Sequence, residues 1–243
     1  MIHLDRINKH FGAVHAVRDL SLDVPAGELF CFLGPNGAGK TTTIKMMTGL
    51  LRPDSGTIAI GGYDLATHPV EAKRLMGYIP DMPFIYERLT PAEFLKFVAG
   101  LYRLDGAGLG ARIEAALEQF HLADMRNALI GDLSHGMRQR LLYTATFLHD
   151  PAVVFIDEPL IGLDPHSIRM IKDFLRSRVR AGMTILLTTH ILALAEDIGD
   201  RIGIIAGGRL IALGRMADLR AQANREGSLE DVFLKLTESD ATP

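Results

Sequence analysis

An α/β fold is predicted for these 243 residues: a mainly parallel sheet flanked by helices, with an antiparallel β segment first and a helical lobe inserted midway. Three observations predict it. Short apolar runs at 28–33, 153–157 and 183–188 each lead into a turn and a helical pattern, the alternation that builds parallel sheets. Residues 2–24 alternate between apolar and polar, as half-buried antiparallel strands do. Residues 82–150 show helical periodicity instead. The 48% hydrophobic content supports a sizeable core.

Each element follows in order. Strands are expected at 2–7 and 16–24, the second with apolar Val17, Leu20, Leu22 and Val24. Pro25-Ala26-Gly27 turns the chain into strand 28–33. A Gly-rich stretch and a helix over 42–50 come next, then a short strand at 57–60 closed by Gly61-Gly62. Thr90-Pro91-Ala92-Glu93 is a capping box with proline at the first helical position. Phe94, Leu95, Val98 and Leu101 then share one helical face. Gly106 and Gly108 interrupt it, and Ile113, Ala116, Leu117 and Phe120 start a second face. A third helix is expected over 136–149. Strand 153–157, helix 165–180, strand 183–188, helix 191–198, strands 201–206 and 209–213, and a helix near 228–236 complete the chain. The expected division is one domain, 1–243, with a binding core at 1–81 and 151–243 and a helical subdomain at 82–150.

Composition narrows the function. Net charge is −3, without the basic block or basic–aromatic stripe of a nucleic-acid footprint, so no nucleic-acid partner is expected. The longest apolar runs, 151–156 and 183–187, are far too short to cross a bilayer. No apolar segment follows the charged start as in a signal peptide, so a cytoplasmic location is expected. The one cysteine, Cys31, excludes an internal disulfide and reads as a buried, inert thiol.

The stretch Gly34-Pro35-Asn36-Gly37-Ala38-Gly39-Lys40-Thr41 fits the phosphate-binding pattern G-x-x-x-x-G-K-[ST]. It lies between an apparent buried strand and an apparent helix, the context that the pattern needs. Glycines let backbone N–H groups face phosphate oxygens, and the helix start adds its positive end. Lys40 supplies a cation for the β- and γ-phosphates, and Thr41 a hydroxyl for Mg²⁺. Val153-Val154-Phe155-Ile156-Asp157-Glu158 is the second signal: two carboxylates emerge at a strand's C-terminal end, where ligands bind in open α/β sheets. Asp157 is suited to hold Mg²⁺ and Glu158 to polarise a water for attack on the γ-phosphate. His190 follows strand 183–188 and has two open readings, a γ-phosphate contact or a structural histidine.

Taken together, these motifs resemble the nucleotide-binding subunit of an ABC transporter over nearly the whole chain. Phe11 matches the aromatic that stacks on adenine; Gly77-Tyr78-Ile79-Pro80-Asp81 matches a segment that normally ends in glutamine; Leu133-Ser134-His135-Gly136-Met137 matches the signature sequence, usually Leu-Ser-Gly-Gly-Gln. Asp157-Glu158, the loop Gly162-Leu163-Asp164 and Thr189-His190 follow in the family's order. The resemblance implies a P-loop NTPase, RecA-like core with ATP and Mg²⁺ as cofactors. It implies Glu158, His190 and Asp81 as catalytic residues and Thr41, Asp157 and Asp81 around the metal. Phe11, the loop from Gly34 through Pro35, Asn36, Gly37, Ala38, Gly39, Lys40 and Thr41 to Thr42, with Asp157, Ser134, Gly136 and Asp164, would bind ATP. Two such subunits would close head to tail around two ATP molecules and drive a separate membrane permease from its cytoplasmic face.

The chain departs from the family pattern at several positions. Asp81 replaces glutamine; an ionised aspartate only accepts hydrogen bonds. His135 and Met137 replace a glycine and the final glutamine of the signature, and Phe11 a tyrosine. His135 either donates to phosphate or points away. The signature and the segment 228–236 resemble those of drug, antibiotic and polysaccharide exporters. The apolar, aromatic segment 82–89 is either the permease docking site, through Phe84 and Tyr86, or ordinary packing of the lobe. The alternative function is a soluble ABC ATPase that does not transport, such as a cluster-assembly factor.

Overall fold

The computed structural model describes residues 1–82, 84–158, 163–223, 230–231 and 233–234. Two sheets organise them. The first is antiparallel, built from β1 (Ile2–Phe11), β2 (Val14–Val24), β4 (Ser55–Ile60) and β5 (Tyr63–Asp64) in the order β2-β1-β4-β5. The second has six strands: β3 (Leu29–Leu33), β6 (Met76–Ile79), β7 (Val153–Asp157), β8 (Thr184–Thr189), β9 (Arg201–Ala206) and β10 (Arg209–Gly214). Its order is β10-β9-β3-β8-β7-β6, parallel throughout except for the β9–β10 hairpin. The helices are α1 (Lys40–Met47), α2 (Pro69–Arg74), α3 (Pro91–Leu101), α4 (Leu109–Gln119), α5 (His135–Phe147), α6 (Pro165–Arg180), α7 (Leu192–Ile198) and α8 (Met216–Ala223). This is the predicted α/β class.

The six-stranded sheet separates two cores. Because strand side chains alternate between faces, Phe30, Phe32, Phe155 and Leu186 enter one core, with the antiparallel sheet and Ile44, Met46 and Met47 of α1. Leu29, Cys31, Leu33, Val154, Ile156, Ile185 and Leu187 enter the other, with α3–α7. β3, β7 and β8 are buried at every position, as strands covered on both faces must be. Cys31 is among them, and burial pushes its thiol pKa upward.

Several boundaries differ from the sequence reading. α1 begins at Lys40, two residues before the expected start, because the phosphate-binding loop itself closes the first helical turn: the Thr43 N–H donates to the Gly39 carbonyl at 2.9 Å. β1 extends to Phe11, where it pairs with Val14 across a two-residue turn. On α3 the capping box is formed, with the Thr90 N–H donating to Glu93 Oε2 at 2.8 Å. Leu101, expected on the buried face, is exposed, while Ala99 is buried instead. The short elements β5, α2 and α8 had no periodic signal. Of the helix expected near 228–236, only Glu230, Asp231, Phe233 and Leu234 lie among the described residues, and these are helical.

One contact ties the helical region to the sheet edge. The His149 ring stacks on Tyr102 with centroids 3.5 Å apart and 11° between planes. Its Nε2 sits 3.1 Å from the Met76 carbonyl oxygen, to which the Tyr102 hydroxyl also donates at 3.5 Å. Burial lowers the His149 pKa; the Met76 bond opposes this, Arg112 reinforces it and Asp150 opposes it. The depressed folded pKa makes the unfolded state bind more protons below about pH 6.5. Stability from this group is therefore complete above that pH and falls as pH drops towards the folded value. His149→Gln should melt lower than the parent near neutral pH but lose less melting temperature between about pH 7.5 and 5.5. Thermal melts across that range check this, and parallel slopes would refute it.

Candidate functional site

Strand register brings the site together. Leu33 of β3 pairs with Thr189 of β8, and Asp157 of β7 pairs with Thr188. The residues that follow, Gly34, His190 and Glu158, therefore leave the sheet at one edge, across three neighbouring strands. With strands about 4.8 Å apart, β3 and β7 stand about 10 Å from each other, the scale of a triphosphate.

The loop after β3 is held by its backbone. A Cβ at Gly34 would lie 2.4 Å from the Ile205 carbonyl oxygen of β9. Gly39 has φ of 106°, and a Cβ there would lie 2.6 Å from the Ala16 carbonyl oxygen of β2. The loop is thus clamped between the two sheets, a fit that only glycine permits. Pro35, Asn36 and Gly37 are exposed at its crest, and Ala38 is buried beneath. The Lys40 ammonium, 7% exposed, donates to the carbonyls of Gly34 at 2.6 Å and Pro35 at 3.1 Å. Burial lowers its pKa, opposed by the charges of Glu158 and Asp157. Thr41 is exposed beside it at the helix start and Thr42 half-buried.

At the end of β7, Asp157 is 1% exposed, and one carboxylate oxygen accepts the Thr188 hydroxyl. Glu158 adopts φ of 52°, in the left-handed region. Its N–H donates to the Thr188 carbonyl at 3.2 Å. Its Oε1 lies 3.0 Å from His190 Nδ1, and its Oε2 is buried with no hydrogen-bond partner among the described residues. A buried carboxylate oxygen without a donor is costly unless something else meets it. Tyr78, two residues inside Pro80-Asp81, has its phenol pushed up to about 12, first by burial and then by the charges of Asp157 and Asp81.

The other predicted residues are distributed as follows. Phe11, at the tip of the β1–β2 hairpin, is 51% exposed with the Lys9 ammonium 5.8 Å from its ring centroid. Ser134 caps α5, its hydroxyl accepting the Met137 N–H at 3.3 Å; Ser134 and His135 are exposed and Gly136 is half-buried. The Asp164 carboxylate caps α6, accepting from the N–H groups of His166 and Ser167 at 3.0 Å and the Ser167 hydroxyl at 2.6 Å. These bonds, Ser167's hydroxyl first, lower its pKa. Gly162 lies outside the described residues. Asp81 and His135 line one open groove of about 730 Å³ with Phe84, Tyr86 and Arg138.

Sequence reading missed Thr188, whose hydroxyl orients Asp157. It was absorbed into an apolar run, and only its place one residue inside the strand end marks it. The pairing of Arg138 with Glu87, 51 residues away, had no sequence signal either.

Known proteins resemble this chain in sequence and in fold. The profile of the family described as ABC transporter matches residues 17–161. The chain is 38% identical over 240 residues to the probable multidrug ABC transporter ATP-binding protein YbhF of Escherichia coli K12. That match covers 97% of this chain but 41% of YbhF, so the chain spans less than half of that relative's length. It is 36% identical over 239 residues to the linearmycin resistance ATP-binding protein LnrL of Bacillus subtilis 168, covering 98% of this chain and 75% of LnrL. A solved structure described as the ATP binding subunit of an ABC transporter superposes with a TM-score of 0.92 at 36% identity, covering 98% of this chain and 99% of that one.

The clamp on the loop gives a direct test. Gly34→Ala should weaken binding of a fluorescent ATP analogue at least about 10-fold, since the added methyl must displace the Ile205 backbone or the loop. Equilibrium titration measures it; unchanged affinity would refute the clamp.

Proposed function

The chain belongs to the ABC transporter family of ATP-binding subunits, and we propose that it is the ATP-hydrolysing motor of an exporter whose permease is a separate polypeptide. One observation carries the hydrolytic assignment: Glu158 holds an unpartnered carboxylate oxygen at the sheet edge that bears the phosphate-binding loop, with His190 on its other oxygen. In this reading the loop N–H groups and Lys40 hold the β- and γ-phosphates, and Lys40 exchanges its carbonyl contacts for phosphate oxygens. Glu158 Oε2 accepts a proton from the attacking water, and His190 fixes the Glu158 carboxylate and reaches towards the γ-phosphate. Phe11 offers an open ring face for the adenine.

Magnesium fits the donor set. Thr41 presents an exposed hydroxyl, and Asp157 keeps one carboxylate oxygen free of Thr188. The described residues contain no group of three or more His, Cys, Asp or Glu able to cage a metal, and Mg²⁺ commonly keeps waters and takes phosphate oxygens in place of such a cage. Held there, Mg²⁺ would offset the negative charge of the phosphates. Thr41 and Asp157 would hold it, with Asp81 accepting from a metal-held water.

The start of α5, with Ser134 and Gly136, would complete the γ-phosphate site of a second ATPase subunit, as would Asp164. Its exposure supports this, since a helix start attracts anions. Residues 1–81 and 151–243 would form the ATP-binding core and 82–150 the helical subdomain. No helix of the described residues is long and apolar enough to cross a membrane, so the permease would supply the path. Phe84, at 102% exposure, and Tyr86 offer it an apolar docking surface on the membrane's cytoplasmic face. Export is favoured by the multidrug and linearmycin-resistance names of YbhF and LnrL. Transporter relatives likewise disfavour a cluster-assembly role.

Two outcomes follow. Glu158→Gln should keep ATP binding, cut turnover by about 10²- to 10⁴-fold, and accumulate an ATP-bound dimer by size-exclusion chromatography. Near-normal turnover in the permease complex would remove Glu158 as the base. Replacing both Phe84 and Tyr86 by alanine should reduce co-purification of the permease without altering ATP affinity; undiminished recovery would place docking elsewhere.

A further inference from the structure

The signature turn and the proposed docking segment are joined through one guanidinium. Arg138 lies one turn into α5, its N–H donating to the Ser134 carbonyl at 3.0 Å. Its Nε donates to the Leu133 carbonyl at 3.0 Å and one terminal nitrogen to the Gly131 carbonyl at 2.6 Å. The other terminal nitrogen donates to Glu87 Oε1 at 2.8 Å. Two backbone bonds run alongside: the Gly131 N–H to the Glu87 carbonyl at 3.0 Å, and the Ile130 N–H to the Leu89 carbonyl at 2.9 Å. The segment carrying Phe84 and Tyr86 is thereby fastened to the residues that lead into Ser134.

Stability does not explain the pairing of Arg138 with Glu87. The Arg138–Glu87 pair is solvent-accessible, with the Glu87 side chain 62% exposed, and such pairs contribute little. Geometry does explain it. A planar fork can satisfy two carbonyls and a carboxylate in fixed directions, which a lysine ammonium cannot reproduce. Arg138 and Glu87 also line the groove shared by Asp81 and Tyr86, so whatever seats there meets both ends of the link.

We propose that Arg138 is a positioning residue that couples occupancy of the Phe84–Tyr86 groove to the placement of the Ser134 turn, with Glu87 as its docking-side partner. This rests on the motor reading above: displacement of Glu87 by the permease rotates the guanidinium, and the Leu133 and Gly131 carbonyls carry that movement to the start of α5.

The test uses the complex that co-purifies with the tagged subunit from native membranes. Glu87→Gln should leave the recovery of the complex, the subunit's melting temperature and the ATP KM near parental values. Its kcat in the complex should fall about 5- to 50-fold, within the span of ordinary coupling between sites. Arg138→Lys should lower kcat similarly, and the double variant should be no worse than the worse single, because both changes break one link. Parental kcat in Glu87→Gln, a loss confined to KM, or losses that multiply in the double variant would each overturn the coupling. A parental complex that hydrolyses no ATP would instead overturn the motor reading, and this proposal with it.

Discussion

The structure depends on one packing constraint: β3, β8 and β7 lie side by side with no solvent on either face. Their side chains alternate between two apolar cores, so polar groups can be displayed only where the strands end. Parallel register then aligns those ends. Gly34, His190 and Glu158 share an edge because Leu33 pairs with Thr189 and Asp157 with Thr188. The few polar groups inside that edge have partners: Asp157 takes the Thr188 hydroxyl and Lys40 two loop carbonyls. Glu158 Oε2 is the exception, buried with no partner among the described residues.

The same constraint explains which features were legible in the sequence. Buried parallel strands read as short apolar runs, so strands β7 and β9 and helix α6 could be placed to the residue. The capping box at Thr90 was legible because its two bonds span three residues. Properties set by distant pairings were not. Whether Leu101 or Ala99 faces the core depends on where α3 lies against α5. Arg138 directly follows the signature, but nothing local in the sequence shows that Glu87, 51 residues away, comes alongside it. Among the site residues, the catalytic types were apparent from strand ends and glycines, whereas the orienting hydroxyl of Thr188 was hidden inside a β-branched strand.

The backbone at Glu158 carries a cost that the fold absorbs. A non-glycine residue at φ of 52° is strained by about 1–3 kcal/mol. The Thr188 carbonyl holds the Glu158 N–H in that conformation, so the strain is borne by the β7–β8 register. The benefit is direction. A regular strand would send residue 158 to the face opposite Asp157; the left-handed turn frees the carboxylate to reach His190 at the edge instead.

Two of the departures from the family pattern meet in space. Asp81 and His135 lie far apart in sequence yet line one groove, where Glu87 and Arg138 also meet. In place of a neutral glutamine and a glycine, this chain carries a carboxylate and an imidazole on a surface that already holds an ion pair. At the high effective dielectric of an exposed groove each charge acts weakly, but a partner that covers the groove excludes water and strengthens all of them together. A seated permease would then encounter a set of charges whose balance shifts as Glu87 moves. Displacement would thus act on charges that already lie together, which makes the groove, more than the phosphate-binding loop, the place where the Asp81 and His135 departures meet.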